Sequence, residues 1–138
     1  MFQADLVARL RADATLTSQL GTSGGNPAIN WLERPSKASL PSVTLSEVSS
    51  APTYIQGGRL ASTEATVQLD VWATTPLATI AALDRVVAVL ETEAEHGSTF
   101  FFRGFVTSGP RSMRAEDIPG GMRVHRRTAD ITFTHKPA

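Results

Sequence analysis

Residues 62 to 94 constrain the fold more than any other part of the chain. Ala65, Val67, Leu69, Val71 and Ala73 alternate with Glu64, Thr66, Gln68, Asp70 and Trp72, so an extended strand here has one apolar face and one almost wholly polar face. Directly after it, Thr75 supplies an N-cap and Pro76 a first helical residue. Ile80, Leu83, Val87, Leu90 and Ala94 then trace one helical stripe. A strand that feeds a helix without a linker predicts that this helix lies on the apolar face of an amphipathic sheet.

The remaining segments extend that pattern. Phe2, Leu6, Val7, Leu10 and Ala14 recur at helical spacing, with Arg9 and Arg11 on the opposite side. Asp13 is placed to cap a second short turn carrying Leu16 and Leu20, with Gly21 as its C′ residue. TSGGNP, 22 to 27, reads as a loop, and Ile29 and Trp31 as a weak strand ending at Arg34-Pro35. From Pro41, Val43 and Leu45 alternate with Ser42, Thr44 and Ser46. The segment SSAPTYIQGGRLAS, 49 to 62, reads as a long loop joining two strands, with Tyr54 and Ile55 as an apolar contact pair beside Gly57-Gly58. In STFFFRGFV, Phe100, Phe102 and Val106 fall on one face and Phe101 and Phe105 on the other, which leaves the face away from the helices locally apolar. GPRSMRAEDIPGGMR predicts a hairpin with its tip near Pro119-Gly120-Gly121, packed by Met113 and Met122. The closing strand alternates Ala129, Ile131 and Phe133 against Thr128, Asp130, Thr132 and Thr134. The fold class is α+β: a mostly antiparallel sheet of four to six strands with two helices on one face, in one domain spanning 1 to 138.

Composition bounds the chemistry. At 138 residues, 41% hydrophobic and 19% charged, the chain matches a soluble globular protein with one core. No apolar run is long enough to span a bilayer, so no membrane is expected. The start carries Asp5 and lacks a basic leader, so it reads as a first helix and not a signal peptide, with synthesis in the host cytoplasm. Zero cysteines exclude disulfides, thiolate metal sites and cysteine nucleophiles. Formal net charge is zero, yet residues 1 to 96 hold 6 basic against 10 acidic residues and 97 to 138 hold 7 basic against 3 acidic.

No enzymatic constellation emerges. Gly21 to Gly25 matches G-x-S-x-G, but a helix precedes it and Asn26-Pro27 follows, whereas a nucleophile elbow turns from strand into helix. No phosphate-cradling glycine loop occurs. His125 and His135 are separated by roughly 33 Å of extended strand, too far to share a metal. Glu91, Glu93 and Glu95 read as a solvated acidic rim at a helix end rather than an acid–base pair. Arg123, Arg126 and Arg127, with Arg111 and Arg114, have the charge for nucleic acid, but strand alternation splits them and the chain as a whole is neutral. A solvated or subunit-pairing face is the better reading. Catalytic, cofactor and metal sites are all read as none.

The helix over 2 to 20, the Pro41-x-Val43 strand with Glu47-Val48-Ser49, the Val67-x-Leu69-x-Val71-Trp72 strand running into TPLATIAALDRVVAVLE, and the terminal GGMRVHRRTADITFTH strand together resemble the tail-terminator (tail-completion) proteins of long-tailed phages and gene transfer agents. The resemblance spans nearly the whole chain. It implies two helices on one sheet face and six copies closed into a ring at the head-proximal end of the tail tube, in the virion neck. Such a ring ends tube polymerisation and meets the tail-tube protein on one side and a head connector or stopper protein on the other, with DNA only as passing cargo. Another neck component or a tube subunit of related fold is the alternative, and a small ligand-binding or enzymatic domain the second. On this reading Tyr54, Ile55, Gln56 and Arg59 are a partner-contact loop. Glu91, Glu93, Glu95, Phe101, Phe105, Arg123, Arg126 and Arg127 are subunit-interface candidates. Thr66, Gln68, Asp70, Thr128 and Asp130 are candidates to face the lumen.

Overall fold

The structure is a computed structural model and describes residues 2–32, 39–118 and 122–138; at positions 23, 53–55, 59, 60, 118 and 122 the backbone alone is described. Within these residues the chain forms α1 (Phe2–Arg11), α2 (Ala14–Gln19), β1 (Thr22–Ser23), β2 (Asn26–Pro27), β3 (Ile29–Trp31), β4 (Ser42–Ile55), β5 (Gly58–Ala73), α3 (Pro76–Leu90), β6 (Ala94–His96), β7 (Thr99–Phe101), β8 (Phe105–Ser112), β9 (Glu116–Ile118) and β10 (Met122–Pro137). The main sheet has the order β3-β4-β5-β10-β7-β6, and β8 and β9 also pair with β10. Every pairing is antiparallel except β3 with β4. The sheet is therefore mixed and has eight strands, larger than the four to six expected, and α2 is a third helix.

The apolar side of the alternation is the core. Val43, Leu45, Val67, Leu69, Val71 and Ile131 are fully buried against Leu6, Leu10, Leu16, Leu83, Val86 and Leu90 of the helices. Each such side chain contributes about 1.5–3 kcal/mol of transfer free energy. Thr75 caps α3 as expected, its hydroxyl accepting from the Ala78 N–H at 3.2 Å. The buried stripe, however, is Thr79, Ala82, Leu83, Val86 and Leu90, with Ile80 and Val87 only half-buried, and the helix stops at Leu90, so Ala94 belongs to β6. Thr79 tolerates burial because its hydroxyl donates to the Pro76 carbonyl at 2.6 Å.

Asp13 caps α2 by accepting from the Leu16 N–H at 2.9 Å. Gly21 is not left-handed as a C′ residue would be. It is held between the Pro41 carbonyl and the Ala28 N–H, where a side chain would fall 2.6 Å from Ser39 Cβ. The glycine-rich loop after it is a tight hairpin, β1–β2, turned by Gly24 and Gly25 at φ 60° and 83°, the left-handed pair of a type I′ turn. The strand at Ile29 and Trp31 is β3; its expected end at Arg34-Pro35 lies outside the described residues.

Arg9 and Arg11 depart from the expected solvent side. Arg9 is buried and donates from Nη2 to the Val89 and Thr92 carbonyls at 2.7 and 2.8 Å, while Arg11 donates to the Ile29 carbonyl at 2.9 Å. Arg9 thereby covers the orphan carbonyls of the α3 C-terminus, where a cation also suits the helix dipole.

The segment 49 to 62 is also not a loop. β4 and β5 remain paired up to Ile55 opposite Gly58, so the connection is the two residues Gln56-Gly57 and the segment is a hairpin arm. The β9–β10 hairpin stands where expected, with its tip at 119–121 outside the described residues. Met113 is exposed rather than packed in it.

Candidate contact surfaces

The face of the sheet turned away from the helices is a knit polar layer, in which Thr44, Asp70, Thr128 and Thr132 are buried at 3 to 6% exposure. Register places Thr44, Asp70, Thr128 and Arg111 in one cross-strand row, and Ser46, Gln68, Asp130 and Ser108 in the next. Cross-strand partners point to the same side of the sheet, so the five lumen candidates Thr66, Gln68, Asp70, Thr128 and Asp130 share one face. Their side chains are tied together. Arg126 Nε donates to Asp70 Oδ1 at 3.0 Å, Gln68 Nε2 donates to Asp70 Oδ2 at 2.9 Å, and the Thr66 and Thr132 hydroxyls meet at 2.8 Å. Trp72 Nε1 donates to Thr44 Oγ1 at 3.3 Å, and the Arg126 guanidinium lies over the Trp72 ring, 4.8 Å from its centre. The Asp70 side chain is only 8% exposed. Alternation was enough to group the five candidates, but the Asp70–Arg126 pair depends on β5–β10 register, which the sequence does not state. The shared even parity of Asp70, Trp72, Arg126 and Thr128 was the available signal.

The three arginines of β10 do not act as one patch. Arg126 turns onto the polar face and is paired within its own chain. Arg123 is exposed and bonded to Asp117 at 3.0 Å, which raises its pKa, and Arg127 donates to Ser112 Oγ at 3.0 Å. Phe101 and Phe105 separate as well. The expected continuous strand breaks at 102–104, where the Gly104 N–H bonds the Leu90 carbonyl at 2.8 Å. Phe101 consequently lies in the core, 0% exposed beneath the Arg9 guanidinium, and is not free to join a subunit interface. Phe100 and Phe102, not Phe101, face away from the helices, packed edge to face at 5.0 Å under Lys136. Phe105 is 56% exposed on β8, beside Thr132.

At the other end of α3, Glu91 is the C-cap, Glu95 lies in β6, and Glu91, Glu93 and Glu95 are all exposed. Asp5 of α1 braces the neighbouring β6–β7 turn by accepting from the Thr99 hydroxyl at 2.6 Å and the Ser98 hydroxyl at 3.1 Å, and these bonds, Thr99 first, hold its carboxyl below the usual range.

The β4–β5 arm is the third surface. Glu47, Val48, Ser49, Ser50 and Ala51 are exposed on one strand, and Ala61 and Glu64 on the other. β3 pairs only with Val43 to Leu45, and β10 reaches β5 only from Thr63 onward, so among the described residues the β4 edge is unpaired beyond Leu45, while both outer edges are unpaired only between Pro52 and Thr63. Gln56 is exposed at the turn; the side chains of Tyr54, Ile55 and Arg59 lie outside the described residues.

Nothing in these surfaces converges as a reaction centre would. Asp70 is tied to Thr128 of β10, whereas His96 connects through Thr99 to Pro137, about nine residues or roughly 30 Å further along the strand. Among the described residues no group of three His, Asp or Glu is arranged to hold a metal ion, and no helix is long and apolar enough to cross a membrane.

The model of the family named tail completion protein gp17 matches residues 4–134. The chain belongs to that family. Its fold superposes on a chain of a structure described as the virion of a native gene transfer agent particle, with a TM-score of 0.62 at 19% identity, covering 98% of this chain and 92% of that one. A second solved chain fits more loosely, with a TM-score of 0.47 at 11% identity over 99% of this chain and 93% of its own. Sequence comparison with curated proteins returns no match.

Proposed function

We propose that this chain is a structural, non-catalytic tail-completion protein of a long-tailed phage or gene transfer agent, made in the host cytoplasm and built into the virion neck. Six copies close a ring at the head-proximal end of the tail tube, end its polymerisation, and offer the opposite surface to a head connector or stopper protein. The observation that carries this reading is the family match over residues 4–134, and the fold shared with a chain of a gene transfer agent virion supports it.

The surfaces suit such work. A closed ring is built from heterologous contacts, one patch against a different patch of the next copy. The exposed Glu91, Glu93 and Glu95 rim and Arg127, which keeps its charge while donating to the neutral Ser112 hydroxyl, form such a pair, and Arg123 joins it by exchanging Asp117 for a carboxylate of the neighbour. Phe105 adds an apolar contact beside it, and the β4–β5 arm with Tyr54, Ile55, Gln56 and Arg59 at its tip reaches the tail-tube protein. The polar sheet face lines the lumen. Adding the purified protein to assembling tail-tube protein tests the role: tubes of limited length are expected, and incorporation along the tube would instead make the chain a tube subunit. Oligomer mass by light scattering at rising salt tests the charge pairing, and a mass indifferent to salt would refute it.

A further inference from the structure

We propose that Asp70 acts as a charge guard on the polar sheet face: by holding Arg126 it denies that guanidinium to DNA phosphates and leaves the face wettable but not adhesive. This rests on the lumen reading above. By register this face carries Glu64, Asp70, Asp130, Glu95 and Glu116 against Arg111, Arg126 and Lys136, a balance of five acids and three bases. The balance alone does not decide affinity, because phosphate contact depends on which cations are free to release counterions. Asp70 is the acid placed to decide it. It sits in the row between Thr44 and Thr128, nearly enclosed, with one carboxylate oxygen on Arg126 and the other on Gln68. Arg126 is further held over the Trp72 ring, 4.8 Å from its centre, with its side chain 29% exposed. With the carboxylate in place the guanidinium is neutralised where it stands. With it gone, the same guanidinium is a phosphate contact repeated in every copy.

Asp70→Asn keeps the shape and removes the charge. It is tested with a short fluorescein-labelled DNA duplex titrated against the full-length protein between about 50 and 200 mM salt. The wild type is expected to bind only weakly at the low end of this range. Asp70→Asn should bind at the low end, at least about tenfold tighter than the wild type, with a salt slope steeper by about one per engaged protomer. Asp70→Asn/Arg126→Gln should lose the gain. Asp130→Asn makes the same charge change with the Asp70–Arg126 pair intact, and should stay near the wild type. Should Asp70→Asn fail to fold, Asp70→Thr, matched to its cross-strand neighbours Thr44 and Thr128, carries the same test. A folded Asp70 variant with wild-type DNA affinity overturns the guard, and so does an Asp130→Asn gain as large as that of Asp70→Asn. The ring is judged separately. A chain that stays monomeric by light scattering refutes the assembly, whatever the DNA titration shows.

Discussion

Strand β5 passes through two environments without changing its pairing with β4. From Thr63 to Ala73 it is flanked on both edges, by β4 and β10, and covered on one face by helices. From Gly58 to Ser62 it has β4 alone. The first stretch buries Ala65, Val67, Leu69 and Val71 at 0 to 1% exposure. The second pairs with Tyr54 and Ile55 in a ribbon exposed at its Gln56-Gly57 turn, and the β4 edge leading to it is exposed from Glu47 to Ala51, opposite Val67 to Glu64. An isolated two-stranded ribbon is marginal in water, so the arm depends on the body that anchors it and contributes little in return. The body supports the chain, and the partner contact proposed for the arm can change at little cost to it.

The sharpest way to test that division is to damage the body. Leu69→Ala removes a fully buried side chain at the centre of the sheet and should cost about 4 kcal/mol, seen as a lower urea midpoint at unchanged slope. Arg9→Ala comes next, at about 3 kcal/mol. It strips the Val89 and Thr92 carbonyls of a charged donor and leaves a gap under α3 beside Phe101. Protection of the last turn of α3 in hydrogen exchange should fall further than that of α1.

How much of this was legible follows from the same contrast. Alternation at 43–46, 64–73 and 129–133 placed the core because period-two burial is local to each strand. Thr75-Pro76 and Asp13 placed helix starts because capping is local too. Arg9 was misplaced because its burial depends on meeting a helix end some eighty residues away, which no local spacing encodes. The break at Phe102 to Gly104 was missed for a similar reason: the Leu90 carbonyl draws the chain in and reverses which phenylalanine enters the core. The arm reads as a loop because Pro52 and Gly57-Gly58 are turn residues, yet the turn needs only Gln56-Gly57. Of the candidate surfaces, the lumen set was legible by parity, while the arginine set was not, since each guanidinium is taken by a partner that only register reveals.

A third prediction is smaller and depends on pH. Asp13 accepts from Arg85 at 2.8 and 2.9 Å and from the Leu16 N–H, and these contacts, Arg85 first, hold its carboxyl below the usual range. A depressed acid stabilises fully above its unfolded pKa, and the contribution is lost as pH falls below about 4 toward the folded value. His135 acts at higher pH. Stacked on Phe2 at 4.2 Å, it is pushed down by burial, with Glu47 opposing. The unfolded chain therefore takes up that proton first, and stability declines as pH falls through about 6.5. Asp13→Asn should cost about 1 kcal/mol at pH 7 and flatten the acid limb below pH 4 while leaving the limb near pH 6 intact. An unchanged acid limb would assign it to other carboxylates, Asp5 first.

The smallest effect on stability should accompany a large effect on assembly. Val48 is 56% exposed on the unpaired edge side of β4. Val48→Lys places a charge where a partner strand or surface would have to desolvate it, the same device by which natural edge strands discourage pairing. Since Val48 buries little within its own chain, the urea midpoint should move by no more than about 0.5 kcal/mol. Tube capping should nevertheless fail, because the contact being blocked lies outside the protomer. A midpoint loss as large as that of Arg9→Ala would mean that this edge of β4, opposite Val67 and Thr66, packs on its own body. An unshifted midpoint with normal capping would keep the division but move the tail-tube contact elsewhere, with Phe105 on the opposite edge of the sheet as the next residue to change.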